Sequence, residues 1–295
     1  MRRMILGTDW WTDCDDAVAL RLVANAIKNE IVQLLGIGIN ACMEYSVASL
    51  KGFLKAEGVE NIPIGIDLEA IDFGGKPPYQ KRLAETMCPS VGNDEAEDAV
   101  RLYRRLLASE KEGVEIIEIG YPQVLSNLMN SGPDDISEKT GLELVSEKVS
   151  KFWVMAGKWD GDGEKENNFC RNARSRMAGK AFCELCPVPV TFLGWEVGYG
   201  VITGGTLKKD DHLHYALSDH GSPNGRYSWD PMLVLMALIG DEATAGYATV
   251  RGTARVDAQT GANYFERDAG GRHQFVIKNQ ENRYYEEQIN QLISL

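Results

Sequence analysis

Apolar runs of the length expected for buried β-strands alternate along this chain with segments in which apolar residues recur at helical spacing. The clearest example is the run 31–39, which is followed by Val47, Leu50 and Leu54 on one helix face. Further strands are predicted at 4–6, 62–66, 114–119, 152–155 and 188–193, and further helices at 17–27, 93–113, 230–239 and 281–295. These repeated units predict an α/β fold in which helices cover both faces of an open, mostly parallel β-sheet.

Two later segments differ from this pattern. Residues 247–278 contain two extended stretches around a turn at 260–263, which predicts a small late β-hairpin. Residues 205–229 are polar and long for a connection, so we expect a lid-like or binding loop there. No linker or repeat divides the sequence, so residues 1–295 are expected to form a single domain. Since 44% of the residues are hydrophobic, this domain can have a substantial core.

Composition limits the partners of the protein. The formal net charge of −12 argues against nucleic acid, and the absence of a run of eighteen apolar residues argues against a membrane-spanning helix. The chain has few cysteines for its length, and Cys183 and Cys186 form a lone CxxC for which ordinary thiols are the default interpretation over zinc or redox chemistry. We therefore expect a cytoplasmic protein with reduced thiols at Cys14, Cys42, Cys88, Cys170, Cys183 and Cys186.

Four carboxylates stand where the first predicted strand ends and the first predicted helix begins: Asp9, Asp13, Asp15 and Asp16. Ligands of open α/β sheets bind at this end of the strands. A helix N-terminus attracts one or two acids through its dipole, but that effect explains four poorly. Crowded carboxylates are tolerable mainly around a cation, and their hard oxygen atoms favour Ca²⁺ or Mg²⁺, so we predict a metal or catalytic site.

Other polar residues follow other predicted strands. Asn40 and Ser126 each lie past a strand end, Glu166 and Asn168 follow the strand that ends at 155, and Asp230 begins a late helix. Considered singly, Asn40 and Asp230 also suit helix caps, and Glu166 and Asn168 an exposed loop. Together at one edge of a sheet, they predict a metal bordered by carboxylate and amide groups, which suits a polyhydroxylated ligand such as a sugar.

The order of these motifs from residue 4 to about residue 240 resembles the inosine–uridine-preferring nucleoside hydrolase family. The similar motifs are Asp9 with Asp15-Asp16-Ala17, Leu125-Ser126-Asn127-Leu128, Met155-Ala156-Gly157, Glu166-Asn167-Asn168 and Trp229-Asp230-Pro231. The resemblance implies a nucleoside-hydrolase-like fold, a homodimer or homotetramer, and a role in purine or pyrimidine salvage. It implies calcium-dependent hydrolysis of the N-glycosidic bond of ribonucleosides, which releases free base and ribose.

The resemblance also implies a role for each matched residue. The calcium ligands would be Asp9, Asp16, the Ser126 carbonyl and Asp230, and Asp9 would also act as the catalytic base. Contacts with the nucleoside would come from Asp15, Asn40, Met155, Glu166, Asn168 and Trp229.

Three features depart from the family pattern. Gly7 replaces the first aspartate of the opening motif, and two extra residues after Asp9 leave open whether Asp13 or Asp15 faces the sugar. Trp229 stands where many members have a histidine that helps the base to leave. Tryptophan does not titrate but can stack on a flat base.

The proton for the leaving base therefore has no assigned donor. His212, His214, His220 and His273 are the candidates, with His214 or His220 in the 205–229 segment preferred, and unaided departure remains an alternative.

Two other functions stay open at this point. Asp13-Cys14-Asp15 is an Asp-x-Asp sequence, as in aspartyl-phosphate phosphatases, but it lies farther past the strand than that chemistry requires. A calcium-dependent sugar- or nucleoside-binding protein without activity would also agree with Gly7 and Trp229.

Overall fold

The structure of the protein is a computed structural model that describes residues 1–11, 13–87, 91–111 and 113–295. Within these residues the strands are β1 (Arg2–Thr8), β2 (Val32–Ile39), β3 (Ile64–Ile66), β4 (Glu97–Asp98), β5 (Val114–Glu118), β6 (Val149–Met155), β7 (Glu164–Lys165), β8 (Val190–Leu193), β9 (Ile202–Thr203), β10 (Arg226–Tyr227), β11 (Tyr247–Val256), β12 (Ala262–Arg267) and β13 (His273–Lys278). The helices are α1 (Asp15–Lys28), α2 (Ser46–Ala56), α3 (Gln80–Met87), α4 (Ala99–Ser109), α5 (Gln123–Asn130), α6 (Gly141–Lys148), α7 (Asn167–Cys170), α8 (Ala173–Leu185), α9 (Trp195–Gly198), α10 (His212–His220), α11 (Trp229–Ile239) and α12 (Asn282–Ile293), with a 3₁₀ turn at Asn93–Glu95.

One large sheet organises the molecule, in the order β4-β3-β2-β1-β5-β6-β8-β13-β11-β12-β7. Every pairing from β4 to β13 is parallel, and the pairings from β13 to β7 are antiparallel. The predicted α/β fold is therefore confirmed. The predicted hairpin is formed by β11 and β12, and it extends the main sheet through β13.

Burial on both sides explains why the central strands are continuously apolar. The last five residues of β1 and of β2 are buried, since helices cover both faces of the sheet. On one face, α1 buries most of its length and packs against α11. This packing brings the N-termini of two helices to the same end of the sheet.

The register of the central strands aligns their carboxyl ends. Gly7 pairs with Gly38 on one side and with Glu118 on the other, and the backbone bonds continue past the strands, with Asn40 N–H donating to the Thr8 carbonyl at 2.9 Å. Gly120 lies so close to this junction that a Cβ there would be 2.3 Å from the Asp9 nitrogen. Asp9, Asn40 and Gly120 consequently meet at one point.

Two segments differ from their predicted structure. The helix predicted over 93–113 begins only at Ala99, because Asp98 is its N-cap and accepts the Arg101 N–H. The 205–229 segment is not a lid-like loop, since it contains α10 and β10, and β10 pairs with β9. The exposed polar residues of the segment, such as Lys208, Lys209 and Asp210, lie outside α10, and the helix buries only Leu213, Ala216 and Leu217. This short apolar set explains why the sequence shows no clear stripe.

No described helix is long and apolar enough to cross a membrane. The described cysteines, Cys14, Cys42, Cys170, Cys183 and Cys186, are free thiols, whereas Cys88 lies outside the described residues.

Candidate active site

A cavity of about 460 Å³ opens at the carboxyl ends of β1, β5 and β6. Its walls contain carboxylates on one side, an amide and a further carboxylate on another, and aromatic rings with two arginines around the opening. Predicted site residues from five different parts of the chain line it: Asp9, Asp15, Asp16, Met155, Glu166, Asn168, Trp229 and Asp230.

The carboxylate wall is built where the first residues of α1 meet those of α11. Asp15 and Asp16 begin α1, and Asp230 is the second residue of α11. The Asp230 backbone N–H donates to Asp15 Oδ2 at 3.2 Å, which ties the two helix ends together. Asp16 Oδ1 accepts hydrogen bonds from the Thr8 hydroxyl and from the Trp10 N–H.

These acids are crowded and almost completely buried. Asp9, Asp15, Asp16 and Asp230 are exposed to 8%, 3%, 2% and 5%. Burial first, and then repulsion between the carboxylates, raises the pKa of each well above its ordinary value. A cation among these carboxylates would offset both the burial and the repulsion.

The arrangement fits a hard divalent cation. Oxygen atoms of Asp15, Asp16 and Asp230 lie within 4.8 Å of one another. Calcium sites place oxygen ligands about 2.3–2.6 Å from the ion, so these three carboxylates are close enough together to share one. Asp9 borders the same cavity, and the Trp11 N–H donates to its Oδ1 at 3.1 Å.

The two extra residues after Asp9 are accommodated by turning inward. Trp10 has a φ of 45°, is completely buried, and donates its indole N–H to Ser49 at 2.8 Å. Trp11 lines the cavity and donates its indole N–H to the Gly74 carbonyl at 2.7 Å. Both tryptophans are therefore packed into the protein and held by hydrogen bonds.

Asp13 and Asp15 have different hydrogen-bond partners. Asp15 joins the carboxylate wall, whereas Asp13 accepts hydrogen bonds from Arg226 Nε at 2.8 Å and Nη2 at 2.6 Å. Both residues line the cavity.

The opposite wall is held rigidly by backbone contacts. Glu166 Oε1 accepts the Asn168 N–H at 2.8 Å, and Oε2 accepts the Gly157 N–H at 2.9 Å. Burial raises the pKa of Glu166 to about 7. Asn168 donates from Nδ2 to the Met155 carbonyl at 2.8 Å, which leaves its Oδ1 available to accept a hydrogen bond from a ligand.

Aromatic rings form the side of the cavity near α11. The Trp229 ring lies 6.3 Å from the Trp195 ring at an interplanar angle of 28°, and its indole N–H donates to the Trp195 carbonyl at 2.8 Å. The guanidinium carbon of Arg226 lies 5.5 Å from the Trp229 ring centre. This side suits a flat, partly polar group.

Two predicted site residues do not line the cavity. Asn40 is completely buried behind it, donating to Glu118 Oε1 at 2.7 Å and accepting the Tyr121 N–H at 2.9 Å. Ser126 lies inside α5, where the Asn130 side chain donates to its carbonyl at 2.9 Å. The geometry does not support their predicted contacts with substrate and calcium, which stay predictions.

None of the four candidate histidines lines the cavity among the residues that the structure describes. His212 bonds to Glu57 at 2.8 Å, His214 to Ser218 at 3.1 Å, and buried His273 accepts the Ala254 N–H at 2.9 Å. His220 lies behind Asp13, 3.9 Å from its Oδ1.

Several cavity residues have no counterpart in the sequence predictions: Trp11, Arg171, Trp195 and Arg226. Trp195 follows a predicted strand end, so its position could have suggested it. Arg226 lies in a segment without clear periodicity, and no sequence signal distinguishes it from a surface arginine.

Gly7 also has a structural explanation. A Cβ at this position would lie 2.1 Å from Glu118 Oε2. The Glu118 side chain, which is completely buried, therefore occupies the space next to residue 7. Burial raises the pKa of Glu118 to about 8.

Comparison with known proteins identifies the fold. No model of a known protein family matches the sequence, and no curated protein matches it. Among solved structures, the chain is similar to a purine-preferring ribonucleoside hydrolase from Gardnerella vaginalis, with a TM-score of 0.75 and 15% identity over 99% of this chain and 98% of that one. It is similar to the inosine–uridine preferring nucleoside hydrolase from Bacillus anthracis, with a TM-score of 0.69 and 15% identity over 100% and 99% of the two chains.

A third similar structure is the type III effector protein XopQ complexed with adenosine diphosphate ribose, with a TM-score of 0.68 and 13% identity over 99% of this chain and 93% of that one. These similarities confirm the predicted nucleoside-hydrolase-like fold over the whole chain. At such low identity, they establish the fold alone.

Proposed function

We propose that the protein, whose fold is that of the nucleoside hydrolases, is a calcium-dependent hydrolase of the N-glycosidic bond of ribonucleosides. The observation that carries the proposal is the composition of this cavity. Four buried carboxylates, Asp9, Asp15, Asp16 and Asp230, share it with Glu166 and Asn168. That combination suits a cation together with a polyhydroxylated sugar.

The residues that would hold calcium are Asp15, Asp16 and Asp230, whose oxygen atoms lie within 4.8 Å of one another. The predicted ligand Asp9 lines the same cavity and would join them. When bound, the ion would orient sugar hydroxyls and water and would lower the pKa of that water. The Ser126 carbonyl stays a predicted calcium ligand. It lies within α5 and already accepts a hydrogen bond from the Asn130 side chain.

Asp9 would act as the base that takes a proton from the attacking water. One of its oxygens is fixed by the Trp11 N–H, and the residue follows directly on β1, which limits its movement. A carboxylate with a raised pKa is a better proton acceptor at neutral pH than an exposed one.

Glu166 and Asn168 would hold the sugar. Their contacts with Gly157 and with Met155 fix them before a ligand arrives, so little further ordering is needed on binding. Hydrolysis of this bond passes through an oxocarbenium-like state, and a fixed sugar lowers the cost of reaching it.

Trp229 would stack on the base. Its indole N–H is already bonded to the Trp195 carbonyl, so its contribution is the ring face. One similar enzyme is described as purine-preferring and another as inosine–uridine preferring, so both base classes belong in a first assay.

The decisive experiment measures release of free base and ribose from inosine, adenosine, uridine and cytidine, with added calcium and after chelation. Calcium-dependent release supports the proposal. Saturable binding without turnover would instead favour a nucleoside- or ADP-ribose-binding protein, in line with the ligand of XopQ. Phosphate release from phosphoesters would favour the phosphatase alternative.

The predicted homodimer or homotetramer, the role in salvage and the cytoplasmic location remain predictions of the same proposal. Light scattering of the purified protein measures the first of these directly.

A further inference from the structure

The part of the cavity where the base would lie contains no evident proton donor. No described residue that lines it is a histidine, and the indole N–H groups of Trp11 and Trp229 already donate to backbone carbonyls. Both oxygens of Glu166 accept backbone N–H groups, which holds its carboxyl group at the wall formed with Asn168 and away from the base. Departure of the base therefore calls for another kind of assistance.

Arg226 is a cation placed beside this region. It lines the cavity, and its guanidinium carbon lies 5.5 Å from the ring centres of Tyr227 and of Trp229. Its side chain is half-buried and keeps 28% of its surface exposed. A guanidinium that lies over aromatic rings beside the cavity can reach the polar edge of a base held there.

Asp13 fixes the orientation of Arg226. The carboxylate occupies Nε and Nη2 at 2.8 and 2.6 Å, and no described residue is a hydrogen-bond partner of Nη1. The hydrogen bonds with Asp13 raise the pKa of Arg226, so the guanidinium does not release a proton. A two-point ion pair with one free nitrogen is a preorganised donor that stays charged.

We propose that Arg226 is a catalytic residue that stabilises the departing base as an anion, and that Asp13 is its positioning residue. This inference rests on the proposed function and adds the substrate class: ribosides whose base leaves as an anion held by a guanidinium, without proton transfer from the protein.

The bonds and protons balance as follows. The C1′–N bond breaks and its electron pair stays on the base, which becomes an anion hydrogen-bonded to Arg226. The water oxygen forms a bond to C1′, and its proton passes to Asp9. The released base then takes a proton from solvent, and Asp9 returns its own proton to solvent, so that riboside and water give ribose and neutral base.

The test compares two substrates in the same enzyme preparation. Inosine has a poor leaving group, whereas 4-nitrophenyl β-ribofuranoside releases a stable anion that needs little help. In Arg226→Met, we expect kcat/KM for inosine to fall about 10²–10³-fold, the effect of losing one preorganised donor, and that for the nitrophenyl riboside to fall far less. The ratio of the two values is independent of the fraction of folded protein.

Three further variants sharpen the comparison. Arg226→Lys keeps the charge and should restore part of the ratio, and Asp13→Asn should shift it in the same direction as Arg226→Met but less. The matched control is Arg101→Met, because Arg101 forms an equivalent two-point pair with Asp135 at 2.8 and 2.9 Å on the surface. That control should leave both activities unchanged.

An equal loss on both substrates in Arg226→Met would overturn the inference and would make Arg226 a structural residue. In that case the parent still hydrolyses ribosides, so the proposed function stands. If the parent hydrolyses neither substrate, the proposed function fails and the inference falls with it.

Discussion

Asp9 is the residue on which the proposed chemistry depends most. We expect Asp9→Asn to lower kcat by about 10³-fold or more, because the amide has no basicity and is a weaker cation ligand. The fold should persist, since Asn retains the oxygen that accepts the Trp11 N–H and removes one of four crowded charges. Steady-state kinetics and circular dichroism measure the two effects, and parent-like turnover would place the base elsewhere.

Variants of Asn168 and Glu166 test whether this wall of the cavity binds the sugar. Asn168→Ala should raise KM and lower kcat by about tenfold each, because it removes an amide oxygen that faces the cavity. Glu166→Gln should be more damaging, since both Glu166 oxygens accept backbone N–H groups and the new amide nitrogen cannot. Parent-like kinetics in both variants would contradict sugar binding at this wall.

At the scale of single residues, several groups predicted at strand ends or helix starts line the cavity, whereas Asn40, directly past β2, is buried behind it. Asp9 and Asp230 are placed by a strand end and a helix start, both of which leave clear sequence signals. Ser126 is predicted from a motif, but α5 begins at Gln123 and encloses it. Arg226 could not be predicted, because its position depends on a contact with Asp13 across more than two hundred residues.

At the scale of elements, β11 and β13 are joined by a histidine that must stay neutral. His273 accepts the Ala254 N–H through Nδ1 and is buried, and burial lowers its pKa to about 4. The unfolded chain binds this proton near pH 6.5, so the folded state is fully stable above that pH and loses stability as the pH falls toward 4.

His273→Asn keeps an acceptor near the Ala254 N–H but cannot titrate. We expect the parent to lose on the order of 3 kcal/mol more unfolding free energy than this variant between pH 7 and pH 4. Urea denaturation at several pH values measures the difference. Parallel pH profiles would show that His273 is protonated without cost in the folded protein.

The elements themselves are largely predictable, because buried parallel strands leave continuous apolar runs. The helices α3, α5, α6, α8 and α10 are not predicted, and among the strands the exceptions are short. The strands β4, β7, β9 and β10 have two residues each, too few for any periodicity, and their pairing depends on the surrounding structure.

At the scale of the whole molecule, calcium should couple the site to global stability. The buried carboxylates come from both ends of a span of more than 200 residues, so a shared cation would join α1 to α11. At a free calcium concentration 100 times Kd, the stabilisation is about 2.7 kcal/mol. We expect about one calcium per chain by metal analysis, a higher melting temperature with calcium, and no such shift in Asp16→Asn.

Magnesium at the same concentration is the control ion, because it requires a smaller and more regular set of ligands than calcium. A melting temperature that does not change with either ion, together with metal-free protein, would contradict the cation site.

The antiparallel end of the sheet determines the order in which the walls of the cavity can form during translation. The strand β7, which leads into Glu166, pairs only with β12, and Asn263 of β12 bonds to both the Lys158 N–H and carbonyl at 3.1 and 2.7 Å. The cavity wall that contains Glu166 and Asn168 is therefore held in place by residues that lie about a hundred positions later in the chain. A nascent chain can complete its acidic wall once Asp230 emerges, but it gains a competent site only when the last hairpin has been translated.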